Sequence, residues 1–138
     1  MEVSKAVRTA YSTALSGISV PVYDVFAIPE GIAPPYVLIS TQVTNQLTIK
    51  RCKRYNTSVL LDIVTRSLDP IGREDAEDIA EEIEAIINPD TFEDLDLSPY
   101  GYQLGNTIRE NDTDNSLKSG QYYIYRKLVT YNHLIIKN

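Results

Sequence analysis

The change of hydrophobic period between Thr57 and Pro89 constrains this chain most. Val59, Leu61, Ile63 and Thr65 alternate with Leu60, Asp62, Val64 and Arg66. This period of two, built from aliphatic and β-branched residues, predicts a strand inside a sheet. Asp69-Pro70 then ends the strand and is expected to open a helix, with Asp69 as N-cap and Pro70 at the first helical position. From Arg73 onward Ala76, Ile79, Ala80, Ile83, Ile86 and Ile87 recur at helical spacing and form one apolar stripe. Glu74, Asp75, Glu77, Asp78, Glu81, Glu82 and Glu84 sit between them, and Asn88-Pro89 stops the pattern. The helix predicted here is oily towards a sheet and acidic towards solvent.

The flanking sequence supplies that sheet. Ser4 to Ser16 is expected to be a short helix, with Val3, Ala6, Val7, Ala10, Ala14 and Leu15 on one face and Gly17 as its stop. Val20 to Phe26 is a short strand candidate, and Ile28 to Pro35 a loop punctuated by Pro29, Gly31, Pro34 and Pro35. Tyr36 to Gln46 alternates as a second strand, apolar on both faces at its start. It is expected to be covered on both sides there, and to join the central strand through a hairpin. Beyond the acidic helix, Phe92, Leu95 and Leu97 are spaced apolar anchors in a packed loop or short irregular strand. Tyr102, Leu104, Asn106 and Ile108 then alternate as a strand, and Asn111 to Gly120 reads as a polar, exposed loop. Gln121 to Ile136 is the longest strand signal, expected to bend or change partners along its length. The element order α-β-β-β-α-β-β with short connections predicts an α+β sandwich of two layers. Its sheet is mostly antiparallel, of four to five strands, with both helices on one face. The 138 residues are expected to form one domain, residues 1–138.

Chemistry is sparse. His133 is the single histidine, set in a strand pattern, with no nucleophile and orienting acid indicated beside it. Cys52 is the single cysteine, which excludes an internal disulfide and a cysteine-based metal site. Four neighbouring bases would lower its pKa if it were exposed, yet an unreactive loop thiol is the simpler expectation. Asp112-x-Asp114 opens like a calcium loop, but Leu117 stands where glycine is required and Tyr123 where the last glutamate belongs. No glycine-lysine phosphate loop occurs. No catalytic residue, cofactor or metal is expected, and the chain is read as a non-enzyme. A net charge of −6 argues against a dedicated nucleic-acid binder. The lack of a charged leader with an apolar core predicts no secretory signal. No apolar run approaches the ~20 residues that cross a membrane, so a cytoplasmic site of synthesis and no membrane partner are expected.

Charge is unevenly placed. Glu74 to Asp96 holds eleven of the nineteen acids, whereas Lys50, Arg51, Lys53 and Arg54 crowd four of the thirteen bases into five positions. Two such patches on one small domain would meet between neighbouring copies, head to tail, in a contact that closes into a ring. Glu74, Glu77, Asp78 and Glu81 are the candidate acidic side of that interface. The alternative is two unrelated solvated surfaces.

One set of segments resembles the tail-terminator (tail-completion) proteins of long-tailed bacteriophages. A first helix and a small-Gly-Ile step lead into Val22-Tyr23-Asp24. A proline-rich loop leads into Pro35-Tyr36-Val37-Leu38-Ile39. The strand Val59 to Ser67 is followed by a glycine and an Ala-containing amphipathic helix. The resemblance covers roughly Ala14 to Ile87. It implies a two-layer subunit of a homo-oligomeric, hexameric ring in the virion. That ring caps the tail tube protein, ends tube polymerisation and joins the tail to a head connector or stopper protein, while DNA passes through the lumen unread. It implies assembly in the host cytoplasm and no catalytic residue. This chain departs from the family pattern at its end: Asn111 to Gly120 and the long last strand look extended, with Asp112, Asp114 and Lys118 as candidate contacts to the next ring of the neck or tail. The competing readings are a head-completion or connector protein of the neck, and a small non-viral binding adaptor acting as monomer or dimer.

Overall fold

A computed structural model describes residues 1–47, 50–70, 72–91 and 95–138; the proposed anchor Phe92 lies outside the described residues. The central strand β3 (Arg54–Ser67) and the helix α2 (Glu74–Ile87) form as the period change predicts. Val59, Leu61 and Ile63 are fully buried on one face of β3, and Ala76, Ile79, Ala80, Ile83 and Ile87 of α2 belong to the same core. The helix α1 (Val3–Ala14) adds Val3, Ala6, Val7, Ala10 and Tyr11 to it. The remaining strands are β1 (Val22–Asp24), β2 (Tyr36–Gln46), β4 (Tyr102–Ser119) and β5 (Tyr122–Lys137). The sheet order is β1-β2-β3-β5-β4, and both helices pack on one face of it. The chain is therefore an α+β, two-layer structure with a mostly antiparallel five-stranded sheet and the expected element order.

Four local expectations are corrected. The helix α2 begins at Glu74, with Arg73 in the capping position, and Asp69-Pro70 lies in the preceding turn. Glu74, Asp75 and Glu77 fill the first helical turn, where carboxylates favour the exposed N–H groups. Gly72 is needed in that turn, because a Cβ there would overlap the Ser67 side chain. The strand β1 pairs in parallel with β2, not antiparallel as short connections predict, because residues 25–35 carry the chain back along the sheet edge. The span from Asn111 to Ser119 is not a loop. It continues β4 as an edge strand paired with β5 up to a tight turn at Gly120, whose φ is +61°. Its polar side chains suit an edge open to solvent, and β5 pairs with the backbone groups on its inner side. Finally, β5 neither changes partners nor loses them, pairing with β3 and β4 along its length.

The irregularities fall on the outer strands, and they reset the alternation read from sequence. In β2 the register shifts between Ile39 and Gln42, which brings Gln42 and Thr44 round to the helix side. There Gln42 donates to the Ser4 carbonyl at 3.0 Å and accepts from Arg8 at 3.2 Å, while the Ser4 and Thr44 hydroxyls meet at 2.9 Å. These bonds fasten α1 to the sheet. In β4 shifts after Leu104 and after Arg109 put Tyr102, Leu104, Thr107 and Arg109 on the helix side and leave Asn106 and Ile108 on the other.

Ile83 is 1% exposed, at the centre of the α2 stripe. Ile83→Ala should lower unfolding free energy by about 2–5 kcal/mol, seen as a fall in urea midpoint at unchanged slope. Leu68→Ala, at a site 66% exposed, should stay within about 0.5 kcal/mol of the parent.

Candidate assembly surfaces

The titratable residues in the interior act structurally. His133 on β5 is fully buried. Its Nε2 shares a hydrogen bond with the Tyr11 hydroxyl of α1, and its Nδ1 lies 2.9 Å from the Thr107 hydroxyl of β4. Burial lowers its pKa to about 4, so the ring is neutral, with one nitrogen donating and the other accepting. Tyr131 lies parallel to it, with ring centroids 6.4 Å apart, and donates to Glu84 of α2. Burial and that carboxylate push the Tyr131 phenol well above its ordinary value. Arg109 donates to Glu84 at 3.3 Å and to Asp112 at 2.5 Å, and Lys127 pairs with Asp112 at 3.7 Å and Asp114 at 3.3 Å. This chain of contacts ties α2 to β5 and β4 across the helix side of the sheet. The His133 ring is sealed from solvent between its two hydroxyl partners, and among the described residues no group of three or more His, Cys, Asp or Glu is placed to hold a metal ion. Cys52 is half-buried in the connection between β2 and β3.

The two charged patches are both exposed, and the subunit does not bring them together. Lys50, Arg51 and Lys53 lie in the connection between β2 and β3, and Arg54 begins β3. Leu47 donates to the Arg54 carbonyl at 2.7 Å, which closes the hairpin, and Lys50 adopts a φ of 51° within it. This end of β3 pairs with the Ile136 end of β5. The start of α2 lies at the other end, where Arg73 and Ala76 border a small cavity with Tyr125, Arg126 and Lys127. Glu74, Glu77, Asp78 and Glu81 are exposed on α2. Among the described residues, no ion pair within the subunit uses Lys50, Arg51, Lys53, Arg54, Glu74, Glu77, Asp78 or Glu81. Two helix acids leave the solvated set: Glu82 accepts from the Ser19 hydroxyl at 2.6 Å, and Glu84 turns to Tyr131 and Arg109.

The candidate contacts at the chain's end behave differently. Asp112 and Asp114 are engaged with Arg109 and Lys127, and Lys118 lies 5.6 Å from the centre of the Tyr123 ring. Sequence reasoning also passed over two surfaces. Phe26, after β1, is 97% exposed, a value that alternation in a short segment does not reveal. The sheet face opposite the helices has no covering layer among the described residues, and it carries Leu60, Leu128, Leu134 and Arg126.

No helix among the described residues is long and apolar enough to cross a membrane. No family model and no curated protein matches the chain. Among solved structures, a chain of the virion of a native gene transfer agent (GTA) particle superposes with a TM-score of 0.70 at 16% identity, over 99% of this chain and 98% of that one. That likeness is one of fold.

The buried histidine makes acid stability measurable. In the unfolded chain it titrates near its ordinary 6.5, in the native state near 4. Between these values the unfolded state binds the extra proton, so stability falls as pH drops from about 6.5 to about 4, by roughly 3 kcal/mol in all. Urea unfolding at pH 7, 6 and 5 should show this decline. A His133→Asn variant, less stable at pH 7, should lose the part of the slope that lies above the carboxylate range.

Proposed function

We propose that this chain is a structural subunit of a phage-like virion, and within it a tail-terminator subunit that forms a ring at the head–tail junction. The observation that carries the reading is the end-to-end likeness of fold to a chain of the GTA virion, 99% of one against 98% of the other. Matched lengths mean that the likeness of fold runs from end to end of both chains. The second support is the pair of exposed, oppositely charged patches, centred towards opposite ends of the subunit and without ion pairs among the described residues. Charges left free inside a subunit are available between subunits, where complementarity sets register and orientation.

In this reading Lys50, Arg51, Lys53 and Arg54 of one copy meet Glu74, Glu77, Asp78 and Glu81 of the next. The two patches differ, so the contact is heterologous and propagates round a closed ring, here a hexamer. The ring caps the tail tube, ends its polymerisation and presents a face to the head connector or stopper. The β4–β5 hairpin would reach the adjacent ring of the neck or tail with the exposed Lys118 near its turn, while Asp112 and Asp114, held by Arg109 and Lys127, would stiffen it. DNA passes through the lumen without being read, so the task needs no catalytic group, cofactor or metal.

Light scattering of the purified protein should give a mass near six subunits, and negative-stain images a central hole. Changing Lys50, Arg51, Lys53 and Arg54 together to Glu should convert that species to monomer with an unchanged far-UV circular dichroism spectrum. Rings that persist in this variant would place the contact elsewhere.

A further inference from the structure

Among the described residues, two surfaces carry apolar side chains that no contact within the subunit covers. The first is the segment from Val25 to Pro35 at the β1 edge. Phe26 is 97% exposed and Ile28 39%, although aromatic side chains of this size usually bury most of their surface. The segment is braced. Asp24 Oδ1 accepts the Phe26 N–H at 3.0 Å, Arg8 of α1 stands 3.9 Å from Asp24, and Pro29, Pro34 and Pro35 restrict the backbone. Its acid, Glu30, is exposed and takes part in no ion pair among the described residues.

The second surface is the open face of the sheet. The register sets Leu128 beside Asp62 and Leu60 beside Thr130, with Leu134 further along β5. All three leucines are half-buried with no layer above them among the described residues. Arg126 crosses this apolar ground. Its Nε and Nη2 bond the buried Asp62 at 3.4 and 2.5 Å, its side chain is 50% exposed, and Nη1 makes no bond among the described residues. Burial of Asp62 beneath one arginine fixes a guanidinium in place with a donor to spare.

We infer that the segment from Val25 to Pro35 of one copy seats on the open sheet face of the next copy. Phe26 and Ile28 lie against Leu60 and Leu128, and Glu30 meets the free side of Arg126. Charge complementarity selects a second copy as the occupant. Glu30 gives the segment an exposed acid, and Pro35 at its end lines one cavity with Asp75, Asp78, Glu82 and Arg66. The open face carries Arg126 and Arg66 and runs along β3 to Arg54 at the basic turn. One head-to-tail approach then sets Glu30 against the half-exposed Arg126 at the rim and Phe26 against leucine at the centre, the usual arrangement of a polar rim round an apolar anchor. The inference rests on the ring reading and supplies its apolar centre.

Phe26→Ala cannot disturb the core, since the side chain touches almost nothing in the subunit. Its mass against concentration by light scattering, compared with wild type, should show association weakened by about 30-fold or more, as for a central aromatic anchor. In a Cys52→Ser background, Phe26→Cys combined with Leu128→Cys should give a ladder of disulfide-linked oligomers on oxidation. Wild-type rings, with Phe26→Ala assembling equally well and no ladder, would overturn this contact and leave the ring reading standing. A wild type that stays monomeric both alone and with purified tail tubes would overturn both.

Discussion

The contact between the apolar stripe of α2 and the inner face of β3 and β5 is what the rest of the subunit depends on. Ile79, Ile83 and Ile87 meet a sheet surface of Val59, Leu61, Ile63, Val129 and Ile135, nearly all withdrawn from water. Each large aliphatic side chain buried in this way contributes about 1.5–3 kcal/mol. That packing excludes water from His133 and Tyr131, so their polar atoms must be satisfied by protein. Tyr11, Thr107 and Glu84 answer that requirement, and they come from α1, β4 and α2 respectively. The apolar layer thus creates the demand, and the buried hydrogen bonds fix how the elements around it are aligned.

One face of the sheet is spent on this core. The consequence is an asymmetric molecule: a layer of helices with acids on its outer surface, a sheet face with half-buried leucines and arginines, and a basic turn at one end. Among the described residues the exposed acids of α2 form no ion pair within the subunit, whereas Glu84, on the same helix, is consumed by Tyr131 and Arg109. That difference separates charges that hold the fold from charges available to a neighbour. In the proposed ring, the two unlike sides of each subunit become one repeated interface, and function is carried by shape and complementary charge instead of a reacting group.

How much of this was legible depended on whether the information was local. The β3–α2 pair was legible because a strand of period two followed by a stripe of period 3.6 is a strong local signal. The acidic helix and the basic turn followed from charge runs. The Asn111 to Ser119 strand was not legible, because its polar sequence carries no alternation; it becomes a strand only because β5 lies alongside as a template. The alternation in β2 and β4 misled past their bulges, since one extra residue sends every later side chain to the opposite face. Glu84 looked like one more solvated acid, and only the approach of β5 and β4 showed its partners.

The sequence by itself determined the layer composition: which segments alternate, which are striped, where charge accumulates, and that histidine and cysteine are too few for a multi-ligand site. These are properties of residues close together in the chain. Tertiary structure alone decided which strand became the edge, which acids turned inward, that Phe26 projects into solvent, and that one sheet face stays open. Those outcomes depend on pairing between segments far apart in sequence, His133 with Tyr11 and Arg126 with Asp62 among them. A residue's exposure is fixed by what the rest of the chain places over it, and no local pattern encodes that.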